Sequence, residues 1–408
     1  MSLGVLLFIL SILIVVMIHE AGHFTVAKLF GFKATKFFVG FGPRIWSVKK
    51  GETEYGIAAI PAGGFVKIVG MNPYEDVPPE DQPRSYPNKP RWQRALLLLA
   101  GSATHWPVAF LILVITAMTI GFPTGRATNE VAAIETRLQS VSGEEVAPTT
   151  PAAEAGVRPG DRIVEIDGAP TPTWTAVRDT IRSHAGQTIE FVLARGDRRL
   201  TVTTDLAGVV FDDRNRIVRY CPPDAPPGPL AQVCVGEDTQ GELVGFFGVQ
   251  PEPEYRRDGF FGAFKTAAGA TAYATKYAVL GVGVFFRTVF TGDLFQELTA
   301  EGDRTGREQA IGIVGAGRIA SESVEKGEYI RLVELVVGFT LFVGLMNLLP
   351  LPPLDGGHLA VLAYEAITRR QVDIRKLIPV AAAVISFFVI LFVAVLYLDL
   401  ARPIRVPF

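Results

Sequence analysis

The chain has 408 residues, 49% of them hydrophobic, with a mean hydropathy of +0.31, a balance too apolar for an ordinary soluble protein. A formal net charge of −2 gives no global reason to expect nucleic acid or an acidic partner, and two cysteines in no Cys-x-x-Cys spacing exclude a disulfide framework. The length allows two or three domains.

Four stretches hold the ~20 mostly apolar residues that a bilayer crossing needs: 4–30, 95–122, 330–350 and 377–398. The first has no positive n-region and no close small-x-small cleavage site, so it reads as a retained helix and not as a signal peptide. It contains Ile18-His19-Glu20-Ala21-Gly22-His23. His19 and His23, four residues apart, fall on one helix face a turn apart. Two imidazoles so placed can bind one zinc ion, with Glu20 as general base to the activated water. The plainer reading is three polar side chains satisfied inside a helix bundle. Against it stands their depth in an apolar segment, where ionisable groups are costly and generally functional.

After this helix, Arg44–Val48, Thr53–Ile60 and Gly64–Val69 read as strands, with Lys50-Gly51 as a turn. They form either a small cytoplasmic hairpin or a sheet folded back against the helices, with an edge open to an extended peptide. Met71–Pro90 is proline-rich and acidic and reads as a loose linker. In the second span, Gly101-Ser102-Ala103-Thr104-His105-Trp106-Pro107 offers small residues for close packing, and Pro107 should open the helix locally.

Residues 126–255 are polar enough to fold in water. A helical turn at Pro151 leads through Pro159-Gly160-Asp161 into a strand over Ile163–Ile166 that ends at Asp167-Gly168. Thr173–His184 reads as a helix, 188–194 and 200–204 as a hairpin, and 243–249 as a closing strand. A proline-rich insertion, Tyr220–Gly241, holds Cys221 and Cys234, which would pair as a disulfide if the loop is exported. In 259–292, Lys265, Lys276 and Arg287 recur every 11 residues and share one face. That fits an amphipathic interfacial helix, with a fifth span as the alternative.

The third span runs into Asn347-Leu348-Leu349-Pro350-Leu351-Pro352-Pro353-Leu354-Asp355-Gly356-Gly357-His358, where the prolines should leave Asp355 on irregular backbone. A catalytic zinc usually takes three protein ligands and a water. Asp355 is the foremost third candidate, with His358 and His105 as rivals, and helix capping is its plain alternative. Basic residues crowd the connections after the first span and between the last two, and the N-terminal tail has none. The positive-inside rule then puts both termini outside.

These motifs, in this order, resemble the site-2 protease family of intramembrane zinc metalloproteases, most closely its bacterial RseP-like branch. The run around Pro159-Gly160-Asp161 looks like a PDZ signature. The resemblance implies a multi-pass α-helical membrane protein of four spans, with a folded-back, membrane-associated β-region and an exported PDZ (α+β) domain. Its parts would be residues 1–125, 126–255, 256–329 and 330–408. It implies Zn2+ held by His19, His23 and Asp355, Glu20 as catalytic base, and Asn347, His105, Gly63, Gly64 and Phe65 near the substrate. The substrate would be a single-span membrane protein of the anti-sigma-factor type, cut in its transmembrane segment after a first protease. The place would be the inner membrane of a bacterial cell, with no nucleic acid involved. Two features depart from the branch: one PDZ signature where tandem domains are usual, and His105 where Gly-Pro-x-x-Asn usually supplies asparagine. The rival function is a membrane metal-ion transporter, since acids and histidines in spans also mark ion pathways. It leaves Glu20 and the PDZ signature unexplained.

Overall fold

The structure is a computed structural model. It describes residues 2–72, 74–135, 138–139, 145–147, 149–211, 217–221, 243–293, 311–370 and 372–401. The expected partner Cys234 lies outside these, as does most of the loop carrying it. The chain divides into two compact units, one of residues 1–121 with 257–408 and one of residues 122–256.

The first unit opens with α1 (Leu3–Leu29), started by Ser2, whose hydroxyl accepts from the Val5 amide. Apart from its histidines, Glu20, Lys28, and Ser11 and Thr25, whose hydroxyls bond back to helix carbonyls, α1 is apolar on every side, as a helix set among apolar surroundings must be. Strands β1 (Ala34–Lys50) and β2 (Thr53–Ile68) follow. They begin ten residues before the first strand expected from sequence. Phe37 lies opposite both Val66 and Tyr55, and Phe38 opposite both Phe65 and Gly56, so β2 doubles back along β1. Gly63, at φ 137°, supplies backbone freedom in that bend. The returning part of β2 lies against α1, with the Val66 amide donating to Glu20 Oε2 at 3.0 Å.

The segment read as a loose linker is tied down instead. It forms two 3-10 turns, Pro79–Arg84 and Tyr86–Asn88, and buries Tyr86. Lys33 pairs with Asp81 at 2.5 Å, Lys67 with Glu75 at 2.8 Å and Arg84 with Glu52 at 2.6 Å. Two of the segment's acids, Glu75 and Asp81, are thus held by lysines of the β-region and of the turn before it.

The second apolar stretch is two helices, α2 (Arg91–Ala103) and α3 (His105–Thr119), meeting at Thr104. Pro107 has no amide to return to the Ala103 carbonyl, which accounts for a break just there.

The second unit is β-rich. Its strands are β3 (Phe122–Ile134), the short pair β4 (Leu138–Gln139) and β5 (Glu145–Ala147), β6 (Arg162–Ile166), β7 (Ala169–Pro170), β8 (Thr188–Arg195), β9 (Arg198–Asp205), β10 (Ala207–Phe211), β11 (Ile217–Cys221), β12 (Leu243–Phe246) and β13 (Val249–Arg256). Helices α4 (Pro151–Glu154) and α5 (Trp174–Ser183) complete it. The main sheet runs β13-β3-β6-β8-β9 with β7 beside β6, and β11-β10-β12 form a second sheet. Ile163, Ile166, Val177, Ile189, Phe191, Leu193 and Phe247 fill the core. Asp161 is buried but bound by Arg195 at 2.7 and 2.8 Å and by the Arg158 amide. Burial opposes its charge, yet those donors hold its carboxyl below the usual range.

The chain returns to the first unit with α6 (Phe260–Phe290), α7 (Ile313–Glu325), α8 (Tyr329–Asn347), α9 (Asp355–Thr368) and α10 (Ile378–Ala401). The helix holding Lys265, Lys276 and Arg287 runs beside two of the apolar helices. Phe264 meets Phe110, Thr275 accepts from the Trp106 indole, and Phe285 meets Phe342. Asp399, buried near the end of α10, accepts from the Gly312 and Gly315 amides and so caps α7 from another element. Among the described residues, four helical stretches are long and apolar enough to cross a membrane: Leu3–Leu29, Arg91–Thr119, Tyr329–Asn347 and Arg375–Ala401. The protein is a multi-pass membrane protein.

Candidate active site

Three elements converge on the midpoint of the first unit. From α1, His19, Glu20 and His23 project on one side, as their spacing requires. α8 stops at Asn347 before the proline run, and Leu354 starts α9, so Asp355 occupies the first helical position rather than irregular backbone. Gly356 and Gly357 are needed at this turn. A Cβ on Gly356 would lie 2.2 Å from the Leu348 carbonyl oxygen, and one on Gly357 2.5 Å from the Pro352 nitrogen. The returning part of β2 forms the third side, with Val66 and Ile68 lining a cavity of about 340 Å³ shared with His19, Glu20, His23, Asn347 and Asp355.

Three donor atoms form a nearly equilateral triangle. His19 Nε2 and His23 Nε2 are 3.2 Å apart, and they lie 3.3 and 3.2 Å from Asp355 Oδ2. Ligands at about 2.0–2.1 Å from a tetrahedral zinc are separated by about 3.3 Å, so the triangle has the dimensions of one zinc face. The protonation pattern supports the same fit. His23 Nδ1 is 2.8 Å from the Leu97 carbonyl, which only accepts, so Nδ1 carries a proton and, in the neutral ring, Nε2 presents a lone pair. Asp355 Oδ2 is buried with no near polar partner but the two imidazoles, and α9 starts without a side-chain cap bond. With both Nε2 atoms unprotonated, three lone pairs face one another at a spacing that a cation would bridge.

Glu20 stands beside the triangle with one carboxylate oxygen held by the Val66 amide. Of the rivals for the third donor, His358 lines a neighbouring apolar cavity with Tyr74, Val361 and Leu377. His105 is 1% exposed and does not line the cavity. Its Nε2 lies 3.1 Å from His19 Nδ1, on the far side of that ring from the triangle. This corrects the expectation that His105 faces the substrate. Asn347 does line the cavity; Gly63, Gly64 and Phe65 lie just before Val66 on β2, outside the cavity wall. Gly64 packs on Met17, and Phe65 stacks between Phe38 and Phe41.

The sequence reading missed three supports. The Leu97 carbonyl fixes His23. Gly101 lies against both histidine rings, where a Cβ would come 2.2 Å from His23 Nε2 and 2.8 Å from His19 Cε1. Arg94 on α2 reaches Glu365 on α9 at 3.6 Å, both largely buried, joining the helix behind His23 to the helix that carries Asp355. A backbone acceptor leaves no sequence signal, although Gly101 was visible as a small residue in a span.

Comparison with known proteins agrees with this chemistry. The model of peptidase family M50 matches residues 7–393. The chain is 28% identical over 418 residues to the zinc metalloprotease Rip1 of Mycobacterium tuberculosis (strain ATCC 25618 / H37Rv), covering 98% of each. It is 30% identical over 436 residues to Rip1 of Mycolicibacterium smegmatis, covering 99% of each. It is 29% identical over 393 residues to a putative zinc metalloprotease of Mesorhizobium japonicum, covering 92% of this chain and 93% of that one. The chain therefore belongs to peptidase family M50, the site-2 proteases, and is a zinc metalloprotease of the membrane.

Proposed function

We propose that His19, His23 and Asp355 hold the zinc, that Glu20 is the catalytic base, and that the enzyme hydrolyses a peptide bond within the transmembrane segment of a single-span membrane protein. The observation that carries this is the 3.2–3.3 Å donor triangle with Glu20 on the same turn of α1. When bound, zinc supplies Lewis acidity, lowering the pKa of water to about 7 and polarising a carbonyl. Glu20 takes the proton from the attacking water and delivers it to the leaving amine. The Val66 amide holds one Glu20 oxygen, which leaves the other to carry the proton.

A helical substrate hides its carbonyls in internal hydrogen bonds, so it must unwind before attack. The returning part of β2 pairs with β1 along one edge, and its other edge faces α1 and the cavity. An extended substrate segment laid along that edge would recover lost backbone bonds. Asn347, in the cavity wall, orients the substrate backbone; Gly63, Gly64 and Phe65 shape the approach to the edge. The rest of the reading draws on family resemblance and charge placement. The unit of residues 122–256 is an exported PDZ-type module that filters substrates by size. Both termini are outside, and the substrate is of the anti-sigma-factor type, delivered by a first protease.

Glu20→Gln tests the assignment. We expect one zinc per chain to remain while cleavage of a model transmembrane substrate falls by at least ~10²-fold, as loss of a general base predicts. Zinc loss would make Glu20 a ligand, and undiminished cleavage would remove it from the chemistry.

A further inference from the structure

We propose that His105 is a positioning residue: its Nε2 accepts a hydrogen bond from His19 Nδ1 and thereby locks His19 in the tautomer that can bind metal. The inference deepens the reading above and rests on His19 being a zinc ligand.

His105 is buried at the first position of α3, where the chain breaks between α2 and α3. The ring has little room to turn. A Cβ on Gly344 of α8 would lie 2.9 Å from His105 Cβ and 3.0 Å from its Cδ2, so this glycine leaves the ring its space. On the other side, the His19 and His105 ring centroids are 5.3 Å apart, with the 3.1 Å contact between Nδ1 and Nε2.

One proton occupies that contact, and its position decides what His19 can do. If His105 donates, His19 Nδ1 is the acceptor, and the neutral ring carries its own proton on Nε2. That proton would point at His23 Nε2 and Asp355 Oδ2 and exclude a cation. If His19 donates, its Nε2 lone pair faces the triangle, and His105 carries its proton on Nδ1. Only the second arrangement binds metal. His23 reaches the same state through the Leu97 carbonyl, so both ligating imidazoles have the outer partner that such rings generally require. His105 performs for His19 what a backbone carbonyl performs for His23.

The test is zinc affinity, measured by competition with a chelator of known strength on the full-length protein in detergent. His105→Gln can place its side-chain carbonyl near the position of Nε2 and still accept. His105→Phe keeps the ring volume but cannot accept, and His105→Leu provides the same contrast if the Phe variant does not fold. We expect the Phe or Leu variant to bind one zinc at saturation, but about 10–100-fold more weakly than the wild type, the usual effect of removing such a partner. His105→Gln should regain most of that loss. Thermal melting of the metal-free proteins measures how much stability each variant loses with the buried hydrogen bond, and the change in zinc affinity is read against that loss. Wild-type affinity in the Phe or Leu variant would overturn the proposal. So would Gln binding as weakly as Phe. Failure of a folded Phe or Leu variant to bind zinc even at saturation would also overturn it, by making His105 a ligand. His19→Ala serves as the control for the underlying reading: undiminished zinc binding there would sink the ligand assignment itself, whatever His105 does.

Discussion

At Gly101 a single methyl group would strike the donor triangle itself. Its hydrogen faces His23 Nε2, and an alanine Cβ there would come within 2.2 Å of that nitrogen and 2.8 Å of His19 Cε1. Real Cβ atoms do not approach so closely, so one of the rings must turn or α1 and α2 must separate. Turning His23 breaks its bond to Leu97. Separating the helices would open the close contact at Gly22, where the Ala100 carbonyl lies 2.6 Å from the place a Cβ would take. Gly101→Ala should therefore reduce zinc affinity by more than the roughly 100-fold that loss of a supporting hydrogen bond costs, and proteolysis with it. Elemental analysis of the purified, folded variant checks this. Stoichiometric zinc with wild-type affinity would mean that the crossing of α1 and α2 does not set the ring positions.

Between elements, ion pairs fix the hairpin to the helices. Glu52, in the turn between β1 and β2, accepts two bonds from Arg84 and one from Lys28 of α1. The Arg84 guanidinium, with Lys28, holds its carboxyl down at about 2. Because the folded-state value is depressed, this clamp contributes fully above the unfolded carboxylate value of about 4.3. It is lost as the pH falls from there toward 2. The Lys33 amide, bonded to the Arg84 carbonyl, should lose hydrogen-exchange protection across that window, and Glu52→Gln should show the reduced protection already at neutral pH. A wild-type protection profile in the variant would rule the clamp out. Such pairs also show where sequence reading ends. The four spans and His19-Glu20-x-x-His23 were legible because hydropathy and helical spacing are local. Asp355 could be ranked above His105 and His358 but not placed, because its position depends on how the chain turns after Asn347. β3 was missed for a similar reason: its partner β13 begins more than a hundred residues later. The tethering of 71–90 was invisible because a proline-rich acidic run looks the same whether or not Lys33 and Lys67 come to meet it.

At the scale of the whole molecule, the donor triangle belongs entirely to the first unit, and the second contributes nothing to it. Residues 122–256 have their own core around Phe191, Phe247 and Ile163, and the chain enters and leaves that unit at neighbouring points, since Phe122 pairs with Arg256. Within the first unit, the Asp258 amide donates to the Ala117 carbonyl at 2.9 Å, so the two cut ends are already close. A short flexible link can therefore replace 122–256 at small entropic cost, since each doubling of a loop adds only about 0.6 kcal/mol. If the second unit acts only as a filter on substrate size, the shortened protein should keep one zinc per chain and cut a trimmed substrate at close to the wild-type rate. It should also cut, as the wild type does not, a substrate whose exported domain is still attached. The decisive measurement is the ratio of cleavage rates for untrimmed and trimmed versions of one substrate, compared between the two proteins. A ratio that stays at the wild-type value in a shortened enzyme that still cuts the trimmed form would remove the filter role and leave access control to the first unit. Loss of zinc on shortening would show instead that the second unit supports the fold around His19, His23 and Asp355, a dependence that nothing in the packing of the first unit requires.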